Sequence, residues 1–364
     1  MDEVATSVAA TLTALGEQVA EPSSTPLPDI LPHSLYFLSD RSGTTQIWQL
    51  DLTGTNIAQI SFHESSILDF HADHNTGALA YTTGTELVYI NADGERQTWQ
   101  VEDADTLTEL PEIAGQISSP KLSSDGLWLA YAQNGLRLID LKTGISQLMI
   151  PNEWEQSDNE LIYPGRLYSP ESWSPNNARM LISIAYIEAG TLAFFELASR
   201  SIIDFIAPGI VCCHSAWAAD SESVFLASPY IGLIDSGLWR YSAEDGEEEN
   251  LIASSLEDGT VKLVGWPMAD GDGNLNFFYA ETAGIPQGNT PLLMVSAEIG
   301  QWADPHSLRE DGIHIQDALW APDGSLAIIL PNLEGQSGPL ILANEDGRSL
   351  QVLIDDAWNP QWGP

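Results

Sequence analysis

Basic residues are scarce in this chain: 12 Lys and Arg stand against 52 Asp and Glu over 364 residues, a formal net charge of -40. Such a field repels phosphate backbones, which argues against nucleic acid as a partner. It favours cationic groups or divalent ions, or serves simply to solvate the surface. Cysteine is nearly absent. The only two, Cys212 and Cys213, are adjacent, so no disulfide framework staples the fold. No run approaches the roughly 20 apolar residues of a membrane span. Met1-Asp2-Glu3 lacks a positive n-region ahead of an apolar core, so no export signal is legible. The seven histidines show no HExxH spacing, and there is neither a GxSxG elbow nor a phosphate-cradling glycine loop.

What the chain does contain is hydrophobic residues at 43%, 12 Trp, 29 Gly and 21 Pro. That combination describes a globular protein of many short strands and tight turns, all-β in class. The first residues stand apart. Val4, Val8, Leu12, Leu15 and Val19 recur at helical spacing behind the acidic Asp2 and Glu3, which predicts a short N-terminal helix or stalk over 1–21. Pro22, Pro26, Pro28 and Pro32 make 22–33 an extended linker. A helix on such a tether suits a membrane anchor whose signal has been trimmed away, or else a helix docked on the domain that follows.

From 34 to 364 a repeat governs the sequence. Trp173-Ser174-Pro175-Asn176, Trp217-Ala218-Ala219-Asp220, Trp320-Ala321-Pro322-Asp323-Gly324 and Trp358-Asn359-Pro360 share an aromatic followed by a Pro/Asp turn. Trp266-Pro267, Phe70 to Asp73 and Leu122 to Gly126 complete the column. Its spacing runs from 38 to 54 residues, the size of a propeller blade. Apolar strands follow each turn, such as Leu129-Ala130-Tyr131 and Val224-Phe225-Leu226. Further strands end in polar turns with Gly, except after Phe194-Phe195-Glu196, where Arg200 stands in the Gly position. The N-terminal unit begins at Leu35 without a turn column, and Asp356 to Pro360 supplies one from the other end. The expected fold is therefore a seven-bladed β-propeller of four-stranded antiparallel blades, closed by the C-terminal strand joining the N-terminal blade.

Ser39-Asp40-Arg41-Ser42-Gly43, Gln46-Ile47-Trp48 and Asp51-Leu52-Thr53-Gly54, with Trp320 to Gly324, resemble the repeat of TolB-like propellers, the WD40-like PD repeat. The resemblance covers 35–362. It implies an extracytoplasmic place (periplasmic, cell surface or secreted) and protein binding more often than catalysis. Its relatives also include propeller halves of prolyl peptidases and lyases of sugar acids. The leading expectation is a non-enzymatic scaffold binding a protein or glycan on a loop-rich face, with 151–167 and 282–290 as loops. The alternative is a lyase or hydrolase with its substrate in the central channel and a divalent ion to assist.

Asp270, Asp272, Asn274 and Asn276 place oxygens at alternate positions of a tight loop, the pattern of a calcium site, although Leu275 stands where a calcium loop wants Gly. The competing reading is a polar hairpin. Cys212 and Cys213 form a candidate vicinal disulfide or stay as two buried thiols. Glu171, Asp317, Asp355 and Asp356 fall near the inner-strand column and are candidates for an acidic channel mouth. His71 and His74 read as a solvated pair near a turn. Trp154 and Trp302 lie in longer loops, for recognition or to cap a blade.

Overall fold

The computed structural model describes residues 28–100, 115–156, 162–186, 190–205, 214–229, 236–255, 259–286, 290–302, 305–331, 335–344 and 350–364. The expected helix over 1–21 lies outside these residues, as do Cys212 and Cys213. Antiparallel strands and turns make up the described chain. Four-stranded sheets fall within 69–100, 118–151, 214–253 and 260–307. A five-stranded sheet falls within 153–204. The expected loop 151–167 is in part a hairpin there, because Glu153–Gln156 pairs with the start of Ile162–Trp173.

The remaining sheet has seven strands and unites the two ends of the described chain. Its central member, Gln351–Trp362, serves two neighbours. Val352 and Ile354 pair with Ile341 and Leu340. Further along the same strand, Trp358 and Trp362 pair with Leu38 and Leu35. A long strand with a bulge along its length can bend from one sheet into the next.

Each sheet is apolar on both faces and buries them against its neighbours. Phe194 and Leu181 of one sheet pack with Val224, Leu226 and Tyr241 of the next. Within the seven-stranded sheet, Phe37 and Leu50 pack against Leu326, Ile328 and Leu340 across the bend at Gln351–Trp362. Inner strands of successive sheets run side by side. Asp69–Asp73 lies beside Ser118–Leu122, which lies beside Ile162–Trp173; His214–Trp217 lies beside Thr260–Ala269, which approaches Ile315–Trp320; and Gln351–Trp362 approaches both Ile315–Trp320 and Asp69–Asp73. All-β packing of this kind is a β-propeller.

The Asp and Asn residues of the repeat cap its turns. Asp51 accepts from Thr53 Oγ1, from the Thr55 and Asn56 amides and from Asn56 Nδ2. Asp140 accepts from the Lys142 and Thr143 amides, and Asp323 from Ser325. Arg200, in the Gly position of its turn, takes φ 56° and bonds back to the Glu196 carbonyl. Residues 30 and 31 are docked on the propeller, with their amides on the Leu52 carbonyl at 2.9 and 3.0 Å and Leu31 buried.

Candidate functional site

Inner strands of neighbouring sheets are stitched to one another by side chains, and these stitches build the rim. Trp362 Nε1 donates to the Trp320 carbonyl at 2.7 Å, and Trp320 Nε1 to the Trp266 carbonyl at 2.7 Å. Trp217 Nε1 reaches Ser172 Oγ at 3.1 Å, and Trp173 Nε1 the Lys121 carbonyl at 3.0 Å. Gln361 bridges the Phe70 carbonyl and the Ala72 amide. His71 Nδ1 accepts the Leu122 amide at 3.1 Å. Between the remaining pair of strands, the His214 ring stacks on Trp266 with centroids 4.0 Å apart.

Bulges aim these groups sideways. The ladders slip a register at Ser118/Lys121, Pro170/Ser172, Gly265/Met268 and Ile315/Asp317. Ser119 and Trp266 take positive φ of 53° and 47° at two of those places, and Asn359 takes 49° at the slip opposite Tyr36/Leu38. A bulge frees carbonyls from the ladder and turns side chains out of the sheet. The Trp266 carbonyl is one such group, and the indole of Trp320 satisfies it.

Aligning the strands on their turns puts Asp69, His214, Asp317 and Asn359 in one column. Asp69 and Asp317 each accept the next residue's amide at Oδ1, at 2.8 and 2.9 Å. Asp317 Oδ1 also takes Trp266 Nε1 at 3.0 Å, and Asp69 Oδ1 takes Asn359 Nδ2 at 3.2 Å. Burial raises both carboxyls above the ordinary range, opposed at Asp69 by the nearby Lys121 cation. Burial also lowers His214 to about 4, so the ring is neutral at pH 7, and its Nδ1 has no hydrogen-bond partner among the described residues.

Where the inner strands run into the Asp/Pro turns, a cavity of about 640 Å³ opens. His71, Asp73, His74 and Asn75 form one side; Lys121, Leu122 and Ser124 lie next; Ser172 to Pro175 and Trp217 close it. His71 is held neutral, with its pKa lowered to about 3 by burial and then by Lys121. Trp173 and Trp217 are half-buried, so each indole keeps part of a face open. A cation, neutral imidazoles, hydroxyls and flat apolar surfaces suit the polar and stacking contacts of a glycan or a peptide.

The sequence-based candidates are dispersed. Asp317 is turned toward Trp266, and Glu171 sits half-buried at the bulge of its strand. Asp355 and Asp356 are exposed and line a separate groove of about 390 Å³ with Ser39 and Arg41. Asp270 and Asn274 meet across their hairpin. Asp270 Oδ1 accepts the Asp272 and Asn274 amides at 2.9 and 2.8 Å, and Oδ2 accepts Asn274 Nδ2 at 3.0 Å. Against the effect of burial, these bonds hold the Asp270 carboxyl below its usual range. Asn276 lies further along the strand, buried against Gly324.

His71 and His74 are not a solvated pair. His71 is committed to Leu122, whereas His74 meets His33 edge to face with centroids 5.1 Å apart. Trp302 packs near Phe225 as a cap, with centroids 6.1 Å apart. Sequence reasoning passed over Lys121, Asp69 and Gln361. Placing the inner strands in register on their turns is the signal that would have found them.

No family model matches the sequence, and no curated protein is similar enough to match it. Solved structures do match. A periplasmic gluconolactonase, PpgL, from Pseudomonas aeruginosa shares 12% identity at a TM-score of 0.54, over 91% of this chain and 99% of that one. An oligogalacturonate lyase in complex with manganese shares 11% at 0.54, over 90% and 86%. A TolB from Acinetobacter baumannii shares 16% at 0.47, over 88% and 79%. At these identities the likeness speaks for fold alone: the chain is a β-propeller.

Proposed function

We propose that the chain is an extracytoplasmic, seven-bladed TolB-like propeller that acts as a non-enzymatic scaffold, binding a protein or glycan at the turn end of its inner strands. The two-sided pairing of Gln351–Trp362 supports a ring closed by the last strand. The periplasmic description of the matched gluconolactonase, and the acidity of this chain, support a place outside the cytoplasm.

The observation that carries the binding role is the 640 Å³ cavity over Lys121, with its half-open indoles on strands too well stitched to shift. Rigid strands with a concave polar mouth lower the ordering cost of binding. The test is a screen of the intact chain on glycan and peptide arrays, followed by calorimetry on the best ligand. Lys121→Glu should weaken that ligand at least tenfold and leave the melting temperature within a degree or two. Unchanged affinity in that variant would remove the cavity as the site.

The second reading, a lyase or hydrolase in the channel, rests on His214, whose Nδ1, on an inner strand, has no hydrogen-bond partner among the described residues. The lyase and gluconolactonase among the matched structures lend it fold-level support. Among the described residues, no three His, Cys, Asp or Glu side chains gather where one ion could be held. Calcium at the Asp270 hairpin would have to displace the bonds that already fill that carboxylate. Turnover of the array ligand, lost in His214→Ala, would favour the enzyme.

A further inference from the structure

Among the described residues, Lys121 is the one Lys or Arg that lines the cavity at the turn end of the inner strands. Its carbonyl holds the Trp173 indole, but its ammonium joins no hydrogen bond or ion pair among those residues. Arg166, Arg179 and Arg240 each meet a carboxylate instead. Two carboxyls lie near Lys121, and both are committed elsewhere. Asp73 is buried, and its oxygens accept from the Asn75 and Thr76 amides, from Asn75 Nδ2 and from Thr76 Oγ1, all within its own turn. Asp69 stands two residues before the lining begins, and its Oδ1 accepts the Phe70 amide and Asn359 Nδ2. Asp69 and His71 feel the Lys121 charge without bonding it. An ammonium left in this state in a concave site is a receptor for an anionic group of the ligand.

The other walls narrow the ligand further. Both indoles have their N–H groups engaged, Trp173 on the Lys121 carbonyl and Trp217 on Ser172 Oγ, so each offers only a flat ring. Flat rings beside the Ser124 and Ser172 hydroxyls suit the C–H faces and hydroxyls of a sugar better than the side-chain anchors of a peptide. The net charge of -40 sets a second condition. Such a field repels a polyanion as a whole, whereas a single acidic group that reaches Lys121 meets a local cation. Resting on the reading of this cavity as the binding site, we propose that it takes a saccharide with a single acidic group. The carboxylate or sulfate sits on Lys121, and neutral rings stack on Trp173 and Trp217.

The intact chain is tested on an array of neutral, singly acidic and fully acidic oligosaccharides, carboxylated and sulfated, with acidic peptides alongside. Singly acidic saccharides should be retained best, and the retained set names the anion as carboxylate or sulfate. Calorimetry on the best of them should give about tenfold tighter binding than for its carboxyl-reduced or desulfated counterpart. Lys121→Gln keeps the carbonyl that Trp173 uses and should remove that preference. Hydrogen exchange with bound ligand separates this class from the site itself: protection at 71–75 and 121–124 shows the cavity occupied. With that protection, equal affinity for charged and neutral forms overturns the proposal and leaves the cavity standing, as does tightest binding of a polyanion or an acidic peptide. Protection elsewhere, or no saccharide retained at all, overturns both.

Discussion

Much of the acidity of this chain is local chemistry. Asp51, Asp140 and Asp323 accept amide and hydroxyl hydrogens within their own turns. Led by the Asn56 side chain, those bonds lower Asp51 to about 2. Asp317 is the opposite case. Burial raises its pKa above the unfolded value, so its contribution to stability is present at low pH and is lost as pH rises through the folded value. Both of its bonds end on Oδ1, which an amide oxygen can replace. Asp317→Asn should therefore be more stable than the parent at pH 8, by about 1 kcal/mol, and indistinguishable from it near pH 3. Thermal melts across that range decide; a variant destabilised at pH 8 would mean that the carboxylate itself is needed. His71 works with the other sign. Its folded pKa, about 3, lies below the unfolded 6.5, so the parent loses stability as pH falls between those values. His71→Asn keeps an acceptor for the Leu122 amide and should flatten that loss, on the order of a few kcal/mol. A melt profile as steep as the parent's would place the acid sensitivity elsewhere.

At the level of strands, the Trp residues of the repeat do more than mark turns. Trp320 is buried, and its indole is the partner of the Trp266 carbonyl, a group freed by a bulge at positive φ. Trp320→Phe keeps an aromatic ring against Phe278 but leaves that carbonyl without a donor. The cost should be about 1–3 kcal/mol, read as a lower urea midpoint with an unchanged slope. A fall in the slope as well would mean that the sheets on either side separate before the rest unfolds. The blade-sized spacing of Trp320 and its neighbours was open to reading in the sequence, because turn chemistry and strand alternation are local. The inter-sheet bond was not, since donor and acceptor lie 54 residues apart and meet only through the register slip at Gly265/Met268. Arg200 was legible as a Gly position filled by another residue. The split between His71 and His74 was hidden for the same reason as the indole bond. One faces the next inner strand and the other the docked residue His33, and neither neighbour is close in sequence. Lys121 gave no signal because a single cation in a strand looks like any solvated residue.

Across the whole molecule the unbalanced charge opposes compaction. Arg166–Glu153, Arg179–Glu196 and Arg240–Glu249 are the arginine–carboxylate pairs among the described residues whose partners are both described, and all are partly exposed. Such pairs contribute about 0–1 kcal/mol each and cannot offset repulsion among so many carboxylates. Salt should do what the cations do not. The screening length falls from about 30 Å at 0.01 M to about 3 Å at 1 M, short compared with the distances between sheets. The melting temperature should rise by several degrees between 10 and 500 mM NaCl, and equally with tetramethylammonium chloride, an ion too large for a tight oxygen site. Calcium distinguishes the two effects. If the Asp270 hairpin bound it, sub-millimolar calcium would raise the melting temperature at 500 mM NaCl, where screening is already complete, and Asp270→Asn would abolish that gain. Because the Asp270 oxygens already accept from Asp272 and Asn274, the expected result is a response to ionic strength alone. A melting temperature flat in salt would show that the acidic groups are spread far enough apart to be solvated one by one.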